Sequence, residues 1–262
     1  MSDLQALLLG IVQGLTEFFP VSSSGHLAML QWLMGVDTEG GLVFEVAVHV
    51  ATLGAILIFY RKRVAQLIVG VLQRDPAALG YAAKLAVATV PAVFVGLLGK
   101  DWIEQQFANP ALVGLALLVT GCVVFSTRWT APRAASAEPT WTIALFVGCA
   151  QAVAILPGIS RSGSTVAAAL ALGLAPVAAA EFSFMLGIIA ISGAAVLLLP
   201  EMAETSAALQ SSILIGSAAA LVSGVAALGL FVRMLRGGSF HYFAYWAWSV
   251  GTVFLIWLWL HG

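Results

Sequence analysis

Charge is scarce in this chain. Asp, Glu, Lys and Arg make up 9% of its 262 residues, against roughly 25% in ordinary soluble domains. The 11 basic and 12 acidic residues leave a net charge of −1 and form no basic tract, which speaks against nucleic acid as a partner. Only 2 cysteines occur, Cys122 and Cys149, both inside apolar runs. They read as buried small hydrophobes; a disulfide framework and a Cys/His metal cluster are both excluded. The start, Met1-Ser2-Asp3, lacks the basic residues of a signal peptide, and the first apolar segment carries Glu17, so that segment is expected to be retained.

Hydrophobic residues, by contrast, make up 61% of the chain. A chain of this length cannot hide so much apolar surface in one aqueous core, so it reads as an all-α integral membrane protein, with no room for a separate soluble domain. Six stretches are long and apolar enough to span a bilayer: about 42–60, 81–99, 110–127, 181–200, 208–232 and 241–260. The basic residues Arg61, Lys62, Arg63 and Arg74, then Arg128 and Arg133, then Arg233 and Arg236 fall in alternate loops. The remaining loops hold Lys100, Asp101 and Glu104, then Glu201 and Glu204. The positive-inside rule makes the first set cytoplasmic and places Glu201 and the C-terminal His261-Gly262 outside. Several of the 8 tryptophans, such as Trp102 and those between Trp246 and Trp259, read as interface anchors and lipid-facing bulk.

Two further apolar regions, 4–36 and 141–178, are interrupted midway by Pro20-Val21-Ser22-Ser23-Ser24-Gly25-His26 and Pro157-Gly158-Ile159-Ser160-Arg161-Ser162-Gly163. Unwound backbone at membrane depth survives only when buried in protein or lining a wet cavity, so both regions predict re-entrant helix-loop-helix hairpins. They align on each other at an offset of 138: Gln13 falls on Gln151, Ser22 on Ser160, Ser24 on Ser162 and Gly25 on Gly163. One hairpin plus three crossings per half gives an inverted-topology repeat, with halves at about 1–127 and 141–262, a linker at about 128–140, and the two broken tips meeting near the midplane. The whole chain, 1–262, is then a single membrane domain.

Chemistry concentrates in these breaks. Arg161 is costly in lipid, by at least about 2.5 kcal/mol, so it must face a partner or a polar cavity. Its guanidinium fork suits phosphate oxygens, and Ser160, Ser162 and a following helix N-terminus would add donors. The alternative is an internal ion pair with Glu17, Glu45 or Glu181. Gln13 and Glu17 share a helix face at i,i+4 and offer oxygens to a hard divalent cation; alternatively they serve a structural hydrogen bond or a pairing with Arg161. His26 beside Ser22, Ser23 and Ser24 suggests a nucleophile with its base, with either Ser23 or His26 attacking. A helix-capping role is the alternative for His26. His49, one turn after Glu45, is expected to make an interhelical hydrogen bond, while His241 and His261 sit at membrane edges. Apolar walls around such a site suit a lipid tail bearing a phosphate or pyrophosphate head.

These residues also carry a resemblance. The run from Gln13 to His26, and the run Pro157-Gly-Ile-Ser-Arg161-Ser-Gly-Ser-Thr165, resemble the two signatures of the bacterial undecaprenyl-diphosphate phosphatases of the bacitracin-resistance type. The Glu181-Phe-Ser-Phe184 segment matches as well. The resemblance implies hydrolysis of a polyprenyl pyrophosphate to its monophosphate, recycling a cell-wall lipid carrier, with Mg2+ or Ca2+ as cofactor. It further implies a bacterial inner membrane location, a site facing the periplasm and often a homodimer. Carried onto this chain, it makes Gln13 and Glu17 the acidic-motif pair that holds the metal, and Ser22, Ser23 and His26 the serine-histidine block. Ser160, Arg161, Ser162 and Thr165 become phosphate binders. Gln13 stands where many members have glutamate, and His49 where Gln is more usual. A polyprenyl-phosphate transporter is the rival reading, since inverted repeats with broken helices also build alternating-access carriers. The phosphatidic-acid-phosphatase type fails: Ser24-Gly25-His26 echoes its motif, but the histidine needed six residues after Arg161 is Ala167.

Overall fold

Serine and proline punctuation decides where the helices begin. Asp75 accepts from the backbone N–H of Ala78 at 2.8 Å, and Pro76 occupies the first helical position. This pair starts a helix at Pro76, five residues before the apolar run expected at 81. The computed structural model describes residues 1–36, 38–107, 109–202 and 207–261, with side chains for all of these except 38–42, 100, 104, 197–202 and 207–209. The expectations for Glu201, Glu204 and Gly262, and for the side chains of Lys100 and Glu104, lie outside the described residues.

In chain order the helices are α1 (Asp3–Phe18), α2 (Ser23–Leu33), α3 (Thr38–Phe59), α4 (Arg61–Leu72), α5 (Pro76–Leu98), α6 (Lys100–Phe107), α7 (Pro110–Thr130), α8 (Trp141–Val153), α9 (Arg161–Ala171), α10 (Pro176–Met202), α11 (Ala207–Arg236) and α12 (Phe243–His261). Among the described residues the only β contact is an isolated bridge between Ser136 and Leu174. Five segments are long and apolar enough to cross a membrane: Pro76–Leu98, Pro110–Arg133, Pro176–Val196, Gln210–Arg236 and Phe240–His261. The sixth expected span is α3, which continues into α4 through a bend of 81°. The basic stretch after Tyr60 is therefore a helix and not a plain loop. None of its residues is buried, yet Val64 and Leu67 touch the core edge between the charges. That is the form of a helix lying along an interface.

Both interrupted regions are a helix, a short break and a second helix. α1 packs along α11, α8 along α5, α3 along α10 and α7 along α12. Small residues allow the closest approaches. Gly10 lies against Gly216 of α11, and its counterpart at +138, Gly148, lies against Ala88 of α5. A Cβ on either would run into backbone, as expected where packing rather than water exclusion joins helices. The core centres on the buried rings of Phe18, Phe182, Phe184, Phe231 and Phe240. Phe184 meets Phe18 at 5.7 Å and Phe231 at 5.0 Å, both edge-on.

One expectation is corrected here. Cys122 and Cys149 are free thiols, but both are exposed on the outer faces of α7 and α8. Apolar character predicts burial only where the surroundings are water. Here the exterior is itself rich in Leu, Val and Phe, so a small hydrophobe is equally at home outside.

Candidate active site

The two breaks carry the same local hydrogen bonds. Ser22 caps α2 by accepting from Gly25 N–H at 3.3 Å, and Ser160 caps α9 by accepting from Gly163 N–H at 3.1 Å. The hydroxyls of Ser22 and Ser24 lie 3.3 Å apart, as do those of Ser160 and Ser162. Contacts between the breaks also exchange at the offset of 138. Gly25 faces Gly158, and Gly163 faces Pro20, so close that a Cβ on either would sit 3.1–3.2 Å from its neighbour. Thr120 of α7 ties the second break down, donating to Gly158 C=O at 2.8 Å and accepting from Ser160 N–H at 3.0 Å. Ser22 holds φ 67° (ψ 98°), a backbone state that side-chain-bearing residues rarely adopt and that tends to mark functional sites.

A cavity of about 390 Å³ opens where the breaks meet. Its polar lining is Thr16, Glu17, Ser22, Ser23, Ser24, Glu45, His49, Ser160 and Arg161. The N-termini of α2 and α9 both begin there, and converging helix N-termini favour an anion. Glu17 is the hub. Its Oε1 accepts from Arg161 Nη2 at 2.5 Å, and its Oε2 accepts from Ser23 Oγ at 2.6 Å and from Gln13 Nε2 at 3.1 Å. His49 Nε2 stands 3.6 Å from the same Oε2, while its Nδ1 lies 2.7 Å from Glu45 C=O. The hydrogen bond of His49 thus stays within its own helix, and the expected interhelical one is not formed; the Glu17 carboxylate stands just beyond hydrogen-bond reach.

Arg161 is both things the sequence allowed. It pairs with Glu17 and also lines the cavity, and its buried Nη1 has no hydrogen-bond partner. That nitrogen rests against Gly187 of α10.

Not every expected site residue reaches the cavity. Gln13, fully buried, acts on Glu17 from behind, with its Oε1 unpartnered. Ser162 and Thr165 are buried. Ser162 Oγ lies 3.5 Å from Phe19 C=O, and Thr165 Oγ1 bonds Arg161 C=O at 2.8 Å and Ser183 Oγ at 2.6 Å. Both fasten the second break to its neighbours. His26 faces away from the cavity. Trp246 Nε1 donates to His26 Nε2 at 3.0 Å, which requires the ring proton on Nδ1, and Nδ1 donates to Ser22 C=O at 2.8 Å. Both ring nitrogens are used, and neither meets Ser23. Sequence reasoning left Glu45 and His49 out of the site. Their signal was a polar pair at i,i+4 in an otherwise apolar span.

The family model for bacitracin resistance protein BacA matches residues 6–253. The chain belongs to this family. It is similar to the undecaprenyl-diphosphatase of Carboxydothermus hydrogenoformans, 40% identical over 261 residues that cover 98% of this chain and 97% of the relative. It is similar also to that of Desulfatibacillum aliphaticivorans, 39% identical over 276 residues covering 98% and 99%. A third relative, from Methanosphaera stadtmanae, is 36% identical over 271 residues covering 97% of each chain.

The cavity's donors fit a hard divalent cation. Glu17 and Glu45 supply carboxylates. Mg2+ commonly takes one or two carboxylates, keeps several waters and shares phosphate oxygens. Among the described residues no group of three His, Cys, Asp or Glu side chains forms a site of its own.

Proposed function

We propose that this chain hydrolyses a polyprenyl pyrophosphate, undecaprenyl diphosphate, to its monophosphate and inorganic phosphate in the Glu17–Ser23–Arg161 cavity. The observation that carries the reading is the 2.6 Å hydrogen bond from Ser23 Oγ to Glu17 Oε2. A hydroxyl aimed at a buried carboxylate, at the mouth of two helix N-termini, is a nucleophile with its proton acceptor. A protein that only carried the lipid across the bilayer would need the anion site but not this pair.

In the proposed mechanism, the Ser23 oxygen attacks the terminal phosphorus while its proton passes to Glu17 Oε2. The phosphoric anhydride bond breaks, and polyprenyl monophosphate leaves with the bridging oxygen. Arg161, with Nη1 free of other partners, neutralises charge on the transferred phosphoryl group and leaving phosphate. Glu17 releases that proton to solvent and then takes one from water, whose oxygen attacks the phosphoserine phosphorus; the Oγ–P bond breaks, inorganic phosphate leaves, and Glu17 returns the proton to Ser23 Oγ. Glu17 and Glu45 would hold a divalent cation, Mg2+ or Ca2+, which supplies Lewis-acid charge neutralisation when bound. His26 keeps the first break in shape through the Ser22 carbonyl. Ser22, Ser24 and Ser160 offer hydroxyls to phosphate oxygens; Gln13, Ser162 and Thr165 support the groups that touch it.

The same reading includes an inverted repeat with two re-entrant hairpins. It is supported by the exchanged Gly25–Gly158 and Gly163–Pro20 approaches and by the pairing of α1 with α11 and α8 with α5. The site is proposed to face the periplasm of a bacterial inner membrane. The cavity reaches Phe107 of α6 and the middle of α3, and its lining includes no residue of the basic α4. The test is inorganic phosphate release from a long-chain polyprenyl pyrophosphate by purified protein in detergent, with Mg2+ or EDTA. Metal-dependent release, lost in Ser23→Ala, is expected. No release by folded wild type would overturn the reading in favour of a carrier.

A further inference from the structure

A cavity of about 390 Å³ takes a pyrophosphate but not the long hydrocarbon chain attached to it, so the chain must leave by some route. Two apolar grooves are large enough to receive it. One, of about 520 Å³, runs along α5 to Ile189 and shares no lining residue with the polar cavity. The other, of about 820 Å³, lies between α1, α2 and α12 and shares Thr16 with it.

α1 is the common wall. Gln13 and Glu17 project to the polar side, while Val12, Leu15 and Phe19 line the groove. Thr16 stands at the boundary, lining both cavities, with its hydroxyl turned back to Val12 C=O at 2.6 Å. Along α12 the groove runs from Tyr242 to Trp257, a length of about 22 Å at about 1.5 Å per residue. That covers most of the roughly 30 Å hydrocarbon layer. Its wall holds two ionisable side chains, Tyr242 at one end and His26, which the Trp246 bond disarms. With Nδ1 spent on Ser22 and Nε2 on Trp246, the imidazole offers the groove only carbon.

On the basis of the phosphatase reading above, we infer that this α1–α2–α12 groove binds the isoprenoid chain of the substrate, which passes Thr16 and runs along α12. The His26–Trp246 pair walls the groove at its headgroup end. The chain beyond the groove enters the bilayer.

The test uses wild-type protein in lipid nanodiscs and a polyprenyl pyrophosphate carrying a diazirine on a mid-chain isoprene. Labelled residues are mapped by mass spectrometry, and phosphate release from the same probe is measured in parallel. Labelling at Leu30, Leu33, Val250 and Val253, suppressed about tenfold or more by excess unlabelled substrate, is expected. Competed labelling on the α5 groove at Val90, Val93 or Leu97, or labelling spread evenly over lipid-facing residues, overturns the assignment. If the probe is hydrolysed but labels elsewhere, the groove fails and the phosphatase reading stands. If it labels the groove competitively without release, the groove stands and the phosphatase reading fails. Val253→Trp gives a second readout: KM for the long-chain substrate rises about tenfold with kcat within about twofold. An unchanged KM counts against the groove.

Discussion

Gly187 gives Arg161 its place: a Cβ on Gly187 would overlap the Arg161 Nη1 nitrogen. The guanidinium can lie against α10 and still reach Glu17 only because position 187 carries no side chain. Gly187→Ala is therefore expected to push Arg161 off the carboxylate and lower kcat/KM by about 10- to 100-fold, the scale of a 1 Å misplacement. Combined with Arg161→Lys, which removes the atom that Ala would strike, the loss should be much less than the product of the two single losses. Multiplicative losses in a steady-state assay would show that Gly187 does not act through Arg161.

The Arg161–Glu17 pair is largely buried, with side-chain exposures of 16% and 6%. Removing one partner leaves an uncompensated buried charge, so Arg161→Ala should destabilise by about 3–5 kcal/mol as well as abolish turnover. The double variant Glu17→Gln with Arg161→Met should regain much of that stability and none of the activity. Thermal unfolding in detergent beside phosphate release separates the two effects. A double variant no more stable than Arg161→Ala would show that the pair contributes nothing structural.

How far this geometry could be read from sequence differs by residue. Pro20, Ser22, Pro157 and Ser160 mark both helix breaks, because proline geometry and serine capping act locally. Arg161 announces itself by being charged in an apolar setting. The Glu17–Arg161 pair was among the options, yet nothing local chooses between an anion site and an ion pair. The structure brings both into one cavity, 144 positions apart in the chain. Glu45 and His49 enter only because α3 packs beside the breaks, and tertiary packing has no local signature. His26 turns away from Ser23 because of Trp246, 220 positions distant. Helix α4 was hidden because its basic residues were counted as loop charge, while their apolar neighbours hold it against the core edge.

Ser23 and His26 should separate in kinetics. Ser23 Oγ points at Glu17, whereas both His26 nitrogens are engaged elsewhere. Ser23→Ala is expected to lower kcat by about 10³-fold or more, in the range of a lost nucleophile. His26→Ala should lose about 10-fold through a loosened Ser22 carbonyl, within the range for a mispositioned group. Phosphate trapped during turnover should appear on serine in acid-quenched wild type. Phosphohistidine, or full activity in Ser23→Ala, would reverse the assignment.

The metal prediction rests on Glu45. If Glu17 and Glu45 hold a divalent cation, EDTA should abolish release and Mg2+ or Ca2+ restore it. Glu45→Gln keeps the shape and removes one charge. It should raise the Mg2+ concentration for half-maximal rate by about 10-fold, equivalent to about 1.4 kcal/mol, with the rate at saturating metal recovered in large part. An unchanged metal requirement in Glu45→Gln would remove Glu45 from the coordination shell.

Sidedness can be tested with the exposed thiols removed first. Cys122 and Cys149 are exposed free thiols, so a Cys122→Ala, Cys149→Ala background excludes competing label. In that background, Arg74→Cys reports on the turn after α4 and Asp101→Cys on the α6 connection that leads to Phe107 at the cavity. A membrane-impermeant maleimide added to intact cells should label position 101 and spare position 74 until the membrane is permeabilised, since basic loops stay cytoplasmic. The substrate's pyrophosphate would then be met from the outer side, where the cavity reaches Phe107 of α6. Labelling of position 74 alone in intact cells would turn the molecule over and require the substrate to be hydrolysed on the cytoplasmic face.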